Sequence, residues 1–432
     1  MEKRLSRQID NVNHRLKIIT PKEEIYMDKK STLIRFGVAL IFLAVCLMFF
    51  GTVYAKERTE IRIGAPIPVT GILSMLGREQ RWAYEQAVAD INKEGGIFVK
   101  EYGKKLPVKL VIADAESDPG KAVAAFEKLV KVDKVDLMLS SQTGQLTLPT
   151  CIAAEKLKTY YHTTTIVTPQ WAASKFKWST LFFWDPNQAA GTAFDILDSI
   201  PKAQRPKRLA LLNEDSMDGR GFGPFFKIEA KKFGYSFVAD EPWTVGAKDY
   251  SSLIMKLKGK GVDGIILFGS NTDSVTFVRQ SKELDLNWKL LHGFKGTWGT
   301  EFWNALGNKA QYVLADGFWH EDFPFPKCKE IGKAYFKKYK KQSVSIGMFY
   351  ALCQTLFEAI EKAGTLDGAK VREAVLKYEF KDTVMGDVKY NPNGTSILAL
   401  SAFQWLDGKL IALEPFVKDA QVTKLAPPWD NR

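Results

Sequence analysis

The sequence predicts an α/β fold built of two doubly wound, Rossmann-like lobes. Strand-length apolar runs alternate with helical segments of about ten to fifteen residues, the signature of parallel sheets with right-handed crossovers. This alternation occurs as two successive series that meet near Asp185-Pro186. Length agrees, because 432 residues exceed what one hydrophobic core usually organises.

The first series opens with a strand at 61–66. A helix at 79–92 follows, with Tyr84, Ala87, Val88 and Ile91 on one face and Gly95-Gly96 as its stop. Strands at 108–113, 135–139 and 159–162 then alternate with helices at 120–131 and 147–156. The second series runs helix 188–200, strand 208–212, helix 222–233, strand 235–239, helix 250–258, strand 264–268, helix 274–284 and strand 289–291. Beyond it come a strand near 312–315 and helices around 329–340, 348–363 and 369–378. Residues 387–415 read as a β-hairpin region whose tightest turn signal is Asn393-Gly394. Ligands of open α/β sheets bind beyond the carboxyl ends of the strands, so two such lobes place a site in the cleft between them.

The N-terminus reads as an export signal. Residues 36–53 are apolar throughout, follow Lys29, Lys30 and Arg35, and end at Val53-Tyr54-Ala55, with cleavage expected after Ala55. The segment beginning at Met27 has the proportions of a complete signal (27–55), which makes residues 1–26 an extension and Met27 a candidate start. An uncleaved anchor is the alternative, since such a run reaches the lower limit for a membrane span. Lipoprotein processing at Cys46 is disfavoured by the bulky Val45 before it. In each case residues 56–432 are expected to be periplasmic or otherwise extracytoplasmic.

Composition excludes several classes. The net charge is +12, but residues 1–55 hold nine Lys/Arg and five Asp/Glu, leaving 52 against 44, or +8, beyond them. The surplus is scattered apart from Lys337, Lys338, Lys340 and Lys341, a solvated helix end rather than a nucleic-acid site. Cys151, Cys328 and Cys353 show no CxxC spacing and no metal-ligand pattern; a Cys328–Cys353 disulfide and buried free thiols both remain open. Gly219-Arg220-Gly221-Phe222-Gly223 lacks the dinucleotide spacing and reads as tight-turn chemistry before a helix. No nucleophile–base pair, GxSxG, HExxH or Walker loop is present, so neither an enzyme nor a cofactor is expected.

Ordered landmarks then make the pattern specific: IRIGAPIPVTGILSMLG (61–77), WAYEQAVADINKEGGI (82–97), ADAESDPGKAVAAFEKLV (113–130), VDLMLSSQTGQLTLP (135–149), GRGFGPFFKIEAKKFG (219–234) and KDYSSLIMKLKGKGVDGII (248–266). In this order the chain resembles the periplasmic leucine/isoleucine/valine-binding protein family of ABC-transporter receptors over nearly all of residues 59–420. The resemblance implies the type I periplasmic binding fold, with a hinge of three crossovers near Asp185, near residues 292–293 and near Asp387. Lobe one would then comprise 59–185 and 295–386, and lobe two 186–294 and 387–425. It also implies a monomer that binds an amino acid or related aliphatic or aromatic carboxylate, or an amide, and delivers it to a membrane permease. A sensor of the same fold, signalling through a separate partner, is the alternative.

Candidate ligand groups follow. Residues 140–145, with Ser140, Ser141 and Thr143, leave a predicted strand and enter a helix, where hydroxyls and unpaired N–H groups suit a carboxylate. By resemblance Thr143 stands closest to the family's carboxylate-binding Ser; ordinary N-capping is the alternative. Thr163 and Thr165 leave the next strand toward the same cleft, and the adjacent His162 reads as a structural hydrogen-bonder with the capacity to sense pH. Asp185, in Asp-x-x-Gln188, and Asp273 fall where the family holds a ligand ammonium; the alternative for Asp185 is a hinge hydrogen bond and for Asp273 an N-cap on helix 274–284. Asp218 departs from the family's usual aromatic residue before the corresponding glycine, which disfavours an aliphatic amino acid. Trp184, Phe294 and Trp298 are candidate flat walls of the cleft.

Overall fold

Two sheets organise the chain. In a computed structural model that describes residues 58–432, the first sheet has the strand order 395–397, 179–183, 161–163, 137–139, 61–67, 108–114, all parallel. The second has the order 409–412, 401–406, 314–317, 290–294, 264–268, 209–214, 237–243; strand 401–406 pairs antiparallel with both of its neighbours and the remaining pairings are parallel. Strands covered on both faces read as unbroken apolar runs. Gly264–Phe268 and Leu290–Phe294 are buried along their whole length. The expected signal, Cys46 and the cleavage after Ala55 lie outside the described residues. No helix among the described residues is long and apolar enough to cross a membrane.

The chain first passes between sheets at Trp184-Asp185, after strand Ser179–Phe183. The other two passages differ from expectation. Leu314–Gly317 pairs in parallel with Leu290–Phe294, and the helix Gly299–Leu306 packs on Asn271–Glu283. A further βα unit therefore continues lobe two, and the second passage follows Gly317 instead of residues 292–293. Thr395–Ile397 pairs in parallel with Ser179–Phe183 in the first sheet, so the third passage falls between Ile397 and Ser401. Asp387 lies in a small hairpin formed by Glu379–Thr383 and Gly386–Lys389.

Three local readings also shift. Gly394, at φ +92°, turns the chain into strand Thr395–Ile397 and does not close a hairpin. The tail hairpin turns at Asp407-Gly408, both with positive φ, as a two-residue type I′ connection requires. Gly219 and Gly223 lie inside the helix Met217–Lys232, not in a turn before it. A Cβ at Gly219 would sit 1.9 Å from the Glu214 carbonyl oxygen, so glycine here permits the close approach of helix to strand end. Cys151, Cys328 and Cys353 are buried free thiols, which removes the Cys328–Cys353 disulfide.

Candidate functional site

Loops leaving the carboxyl ends of both sheets enclose one cavity of about 790 Å³, measured out to its mouth. From lobe one it receives Gln142, Thr143 and Gly144 at the N-terminus of helix Thr143–Leu157, and Thr165 after strand Tyr161–Thr163. Thr143 stands at φ +59° and Thr165 at φ +67°. They are the only β-branched residues with positive φ among the described residues. That region is strongly disfavoured for β-branched side chains, and strain of this sort concentrates at functional sites. Gln142 caps the helix by accepting from the Thr143 N–H at 3.0 Å. The Thr143 hydroxyl is buried without a hydrogen-bond partner, and Thr165 Oγ1 lies 3.3 Å from Thr147 Oγ1. A helix N-terminus with an uncommitted hydroxyl presents donors of the kind that suit an oxyanion.

Aromatic rings form the middle of the cavity. Phe268, Phe222, Trp184, Phe183, Phe318 and Trp298 follow one another at centroid distances of 5.0, 4.5, 5.1, 5.4 and 5.4 Å. All six line the cavity, joined by Leu76, Val167, Met348 and Phe349. The buried Trp184 indole N–H has no hydrogen-bond partner.

The lobe-two wall carries charge. Lys295 Nζ donates to Glu214 Oε1 at 2.8 Å and to Asp218 Oδ2 at 3.1 Å. Burial opposes its charge, but the two carboxylates outweigh burial and hold its pKa above the ordinary lysine value. Lys295 itself has φ +68° and is the centre of a γ-turn closed by Gly296 N–H to Phe294 O at 2.7 Å. Beside it, Asp316 accepts from the Lys295 backbone N–H at 2.9 Å and from the Trp298 indole. Burial nevertheless pushes the Asp316 carboxyl up to about 7.

The structure brings together only part of the expected set. Thr143, Thr165, Trp184 and Trp298 line the cavity. Ser140 is engaged with Thr164, donating to its carbonyl at 3.2 Å, while Ser141 donates its N–H to the Tyr161 hydroxyl; neither lines the cavity. Thr163 donates to Thr180 O at 2.6 Å inside the sheet. Phe294 is fully buried beside Phe226, with ring centroids 4.8 Å apart.

The two expected ammonium partners are both engaged elsewhere, and Ser270, not Asp273, caps helix Asn271–Glu283. Asp185 caps helix Pro186–Ser199 through the N–H groups of Asn187 and Gln188. Asp273 is buried where it accepts from Gly246 N–H at 2.9 Å and from Ser270 Oγ at 2.7 Å. Neither lines the cavity. His162 is fully buried, bonded to Tyr160, Thr180, Thr355 and Tyr390, and burial lowers its pKa to about 3, well below a neutral-pH sensor.

Lys295, Asp218 and Asp316 are the charged residues that sequence reasoning did not assign to the ligand. Asp218 was visible as a break in a pattern. Lys295 immediately follows Phe294, the last residue of its strand, where strand-end logic would have found it had that strand been extended to 294.

The family model described as periplasmic binding protein matches residues 60–409. The chain is 26% identical over 373 residues to Leu/Ile/Val-binding protein homolog 3 of Brucella melitensis, covering 86% of this chain and 97% of that one. It is 27% identical over 360 residues to the leucine-, isoleucine-, valine-, threonine- and alanine-binding protein of Pseudomonas aeruginosa, covering 82% and 91%. Its fold matches that of the branched-chain amino acid transporter substrate binding protein LivJ of Streptococcus pneumoniae in complex with isoleucine. The TM-score is 0.72 at 19% identity, over 85% of this chain and all of that one. A solute binding protein of an ABC transporter from Rhodopseudomonas palustris, in complex with 3,4-dihydroxybenzoic acid, matches with a TM-score of 0.69 at 19% identity, covering 85% and 99%.

Proposed function

The chain belongs to the periplasmic binding protein family, and from that premise we propose that it is the extracytoplasmic solute-binding component of an ABC importer. It captures a small organic carboxylate between its lobes and delivers it to a membrane permease. The observation that carries this reading is the pairing of Thr143 and Thr165, both strained, with a shell of six aromatic rings around one inter-lobe cavity.

Lobe one receives the carboxylate through the Thr143 hydroxyl and the N-terminal N–H groups of its helix. Each charge-assisted hydrogen bond contributes about 1.5–3 kcal/mol. Lobe two then closes over the remainder of the ligand, since a ligand shifts a conformational equilibrium by its differential affinity for the two states. The cleft binds without catalysing: none of the three histidines of the described residues lines it, and Lys295 is held charged, which makes it a poor nucleophile.

The relatives' names point to aliphatic amino acids, but the cavity favours an aromatic acid. Asp273, the carboxylate expected to hold an α-ammonium, is committed to Gly246 and Ser270. Asp218 already pairs with Lys295. The ring shell is far larger than an aliphatic side chain needs. A thermal-shift screen of the purified protein against aromatic acids and the aliphatic amino acids tests this. At a hundred times its dissociation constant the correct ligand stabilises the fold by about 2.7 kcal/mol. Stabilisation by leucine or isoleucine with none by any aromatic acid rules out the aromatic assignment. Co-purification with a signalling kinase in place of a permease rules out delivery.

A further inference from the structure

Lys295 lines from lobe two the cavity that Thr143 and Thr165 line from lobe one, in a backbone conformation that costs energy to hold. A lysine ammonium has three N–H donors. Two are taken by Glu214 and Asp218, and a third is left on a cavity-lining side chain that is 27% exposed. Glu214 is further fixed by accepting from Ser216 Oγ at 2.8 Å, and Asp218 spends Oδ2 on the lysine. The cluster thus offers one free donor beside a carboxylate, and two negative charges set against one positive.

That combination discriminates between ligand ends. A second carboxylate would meet a net negative wall. An ammonium would meet Lys295 at close range. A hydroxyl, which both accepts and donates, satisfies the lysine and the neighbouring carboxylate together without adding charge. Lys295 Nζ lies 5.7 Å from the Phe268 ring centre, and Phe268 in turn packs on Phe222 in the cavity wall, surroundings that suit a hydroxyl carried on a ring.

We propose that Lys295, gripped by Glu214 and Asp218, is a specificity-determining residue that selects aromatic acids carrying a hydroxyl remote from their carboxylate. The carboxylate lies at Thr143 and Thr165, the ring between the aromatic walls, and the hydroxyl accepts from Lys295 Nζ while donating to Asp218. This inference rests on the aromatic-acid reading of the cleft.

Isothermal titration of the purified protein with benzoate, 4-hydroxybenzoate and terephthalate tests it. The expected result is 4-hydroxybenzoate tighter than benzoate by about tenfold or more, the worth of one charge-assisted hydrogen bond, with terephthalate weaker than 4-hydroxybenzoate. In Lys295→Met the preference for the hydroxyl collapses to within about twofold. Because that variant leaves Glu214 and Asp218 without their cation, the double variant Lys295→Met/Glu214→Gln is measured beside it, with thermal melts of both. A preference that survives in a folded variant, or its absence in the native protein, overturns the role of Lys295 while leaving benzoate binding intact. Binding of leucine with no ring acid bound at all overturns the aromatic reading together with it.

Discussion

Glu301, on the helix Gly299–Leu306 of lobe two, accepts a hydrogen bond from Arg78 on the helix Ser74–Lys93 of lobe one at 3.2 Å. Lys341 bonds to the same carboxylate oxygen. Leu76 and Trp298, close in sequence to these partners, line the cavity, so the ion pair ties the lobes together near its lining residues. Partly exposed ion pairs contribute about 0.2–1 kcal/mol. Glu301→Gln is therefore expected to weaken 4-hydroxybenzoate binding by about 1.4- to fivefold. Titration at low and high salt checks this: the difference between native and variant shrinks as salt screens the pair. Equal affinities at low salt would show that the contact contributes nothing to closure.

Thr143 separates folding from binding. Its φ of +59° suits glycine, so Thr143→Gly relieves backbone strain of about 1–3 kcal/mol, set against the conformational entropy glycine loses on folding. The same change deletes the buried, unpartnered hydroxyl of this cavity-lining residue. The expected outcome is a melting temperature no lower than native and a ring-acid affinity lower by about tenfold. A fall in both, or in neither, contradicts the assigned role.

Asp273 makes the opposite case. Its oxygens are committed to Gly246 N–H and Ser270 Oγ, away from the cavity. Asp273→Ala removes the charged acceptor from both part-buried donors and is expected to destabilise the fold by about 1–3 kcal/mol. Ligand selectivity in the folded variant should match the native protein. A change in which acids or amino acids bind would return Asp273 to the site.

These contrasts show what the amino-acid sequence made legible. The alternation of apolar runs with helical segments exposed both sheets, because a parallel strand buried on both faces, such as Gly264–Phe268, has no other way to be written. The corner at Thr143 and Thr165 was also readable, since hydroxyls between a strand end and a helix start have a distinctive local chemistry. The second and third passages were not. Leu314–Gly317 and Thr395–Ile397 are short strands whose sheet is decided by partners far along the chain, Leu290–Phe294 and Ser179–Phe183. The engagement of Asp185 and Asp273 away from the cavity was hidden for a related reason. An acid at a helix start has the same sequence whether it faces a ligand or accepts from nearby N–H and hydroxyl groups. The Lys295 cluster needed two separate strand ends to meet, Leu209–Glu214 and Leu290–Phe294, and no local pattern announces that.

Asp316 gives a pH signature whose sign is fixed by its burial. An unfolded aspartate titrates near 3.9, whereas the native Asp316 carboxyl is pushed up to about 7 by burial, against the donors Lys295 N–H and the Trp298 indole. The native state thus holds this proton more tightly than the unfolded chain. Its contribution to stability is complete below about pH 4, declines as pH rises toward 7, and is constant above that. His162 and His292 act in the reverse sense: burial lowers each to about 3, so they favour the native state more as pH rises from 3 toward 6.5. Because both histidines are present in native protein and in Asp316→Asn alike, their effect cancels in the difference between the two. Chemical denaturation across this range should show the native protein losing stability relative to Asp316→Asn between about pH 4 and pH 7, then running parallel to it. Ionising Asp316 also adds negative charge to the wall that holds Glu214 and Asp218, so ring-acid affinity should fall as pH rises through 7 in the native protein and stay level in the variant. Denaturation curves that remain parallel from pH 4 upward would mean that Asp316 is ionised throughout, and that its two donors outweigh its burial.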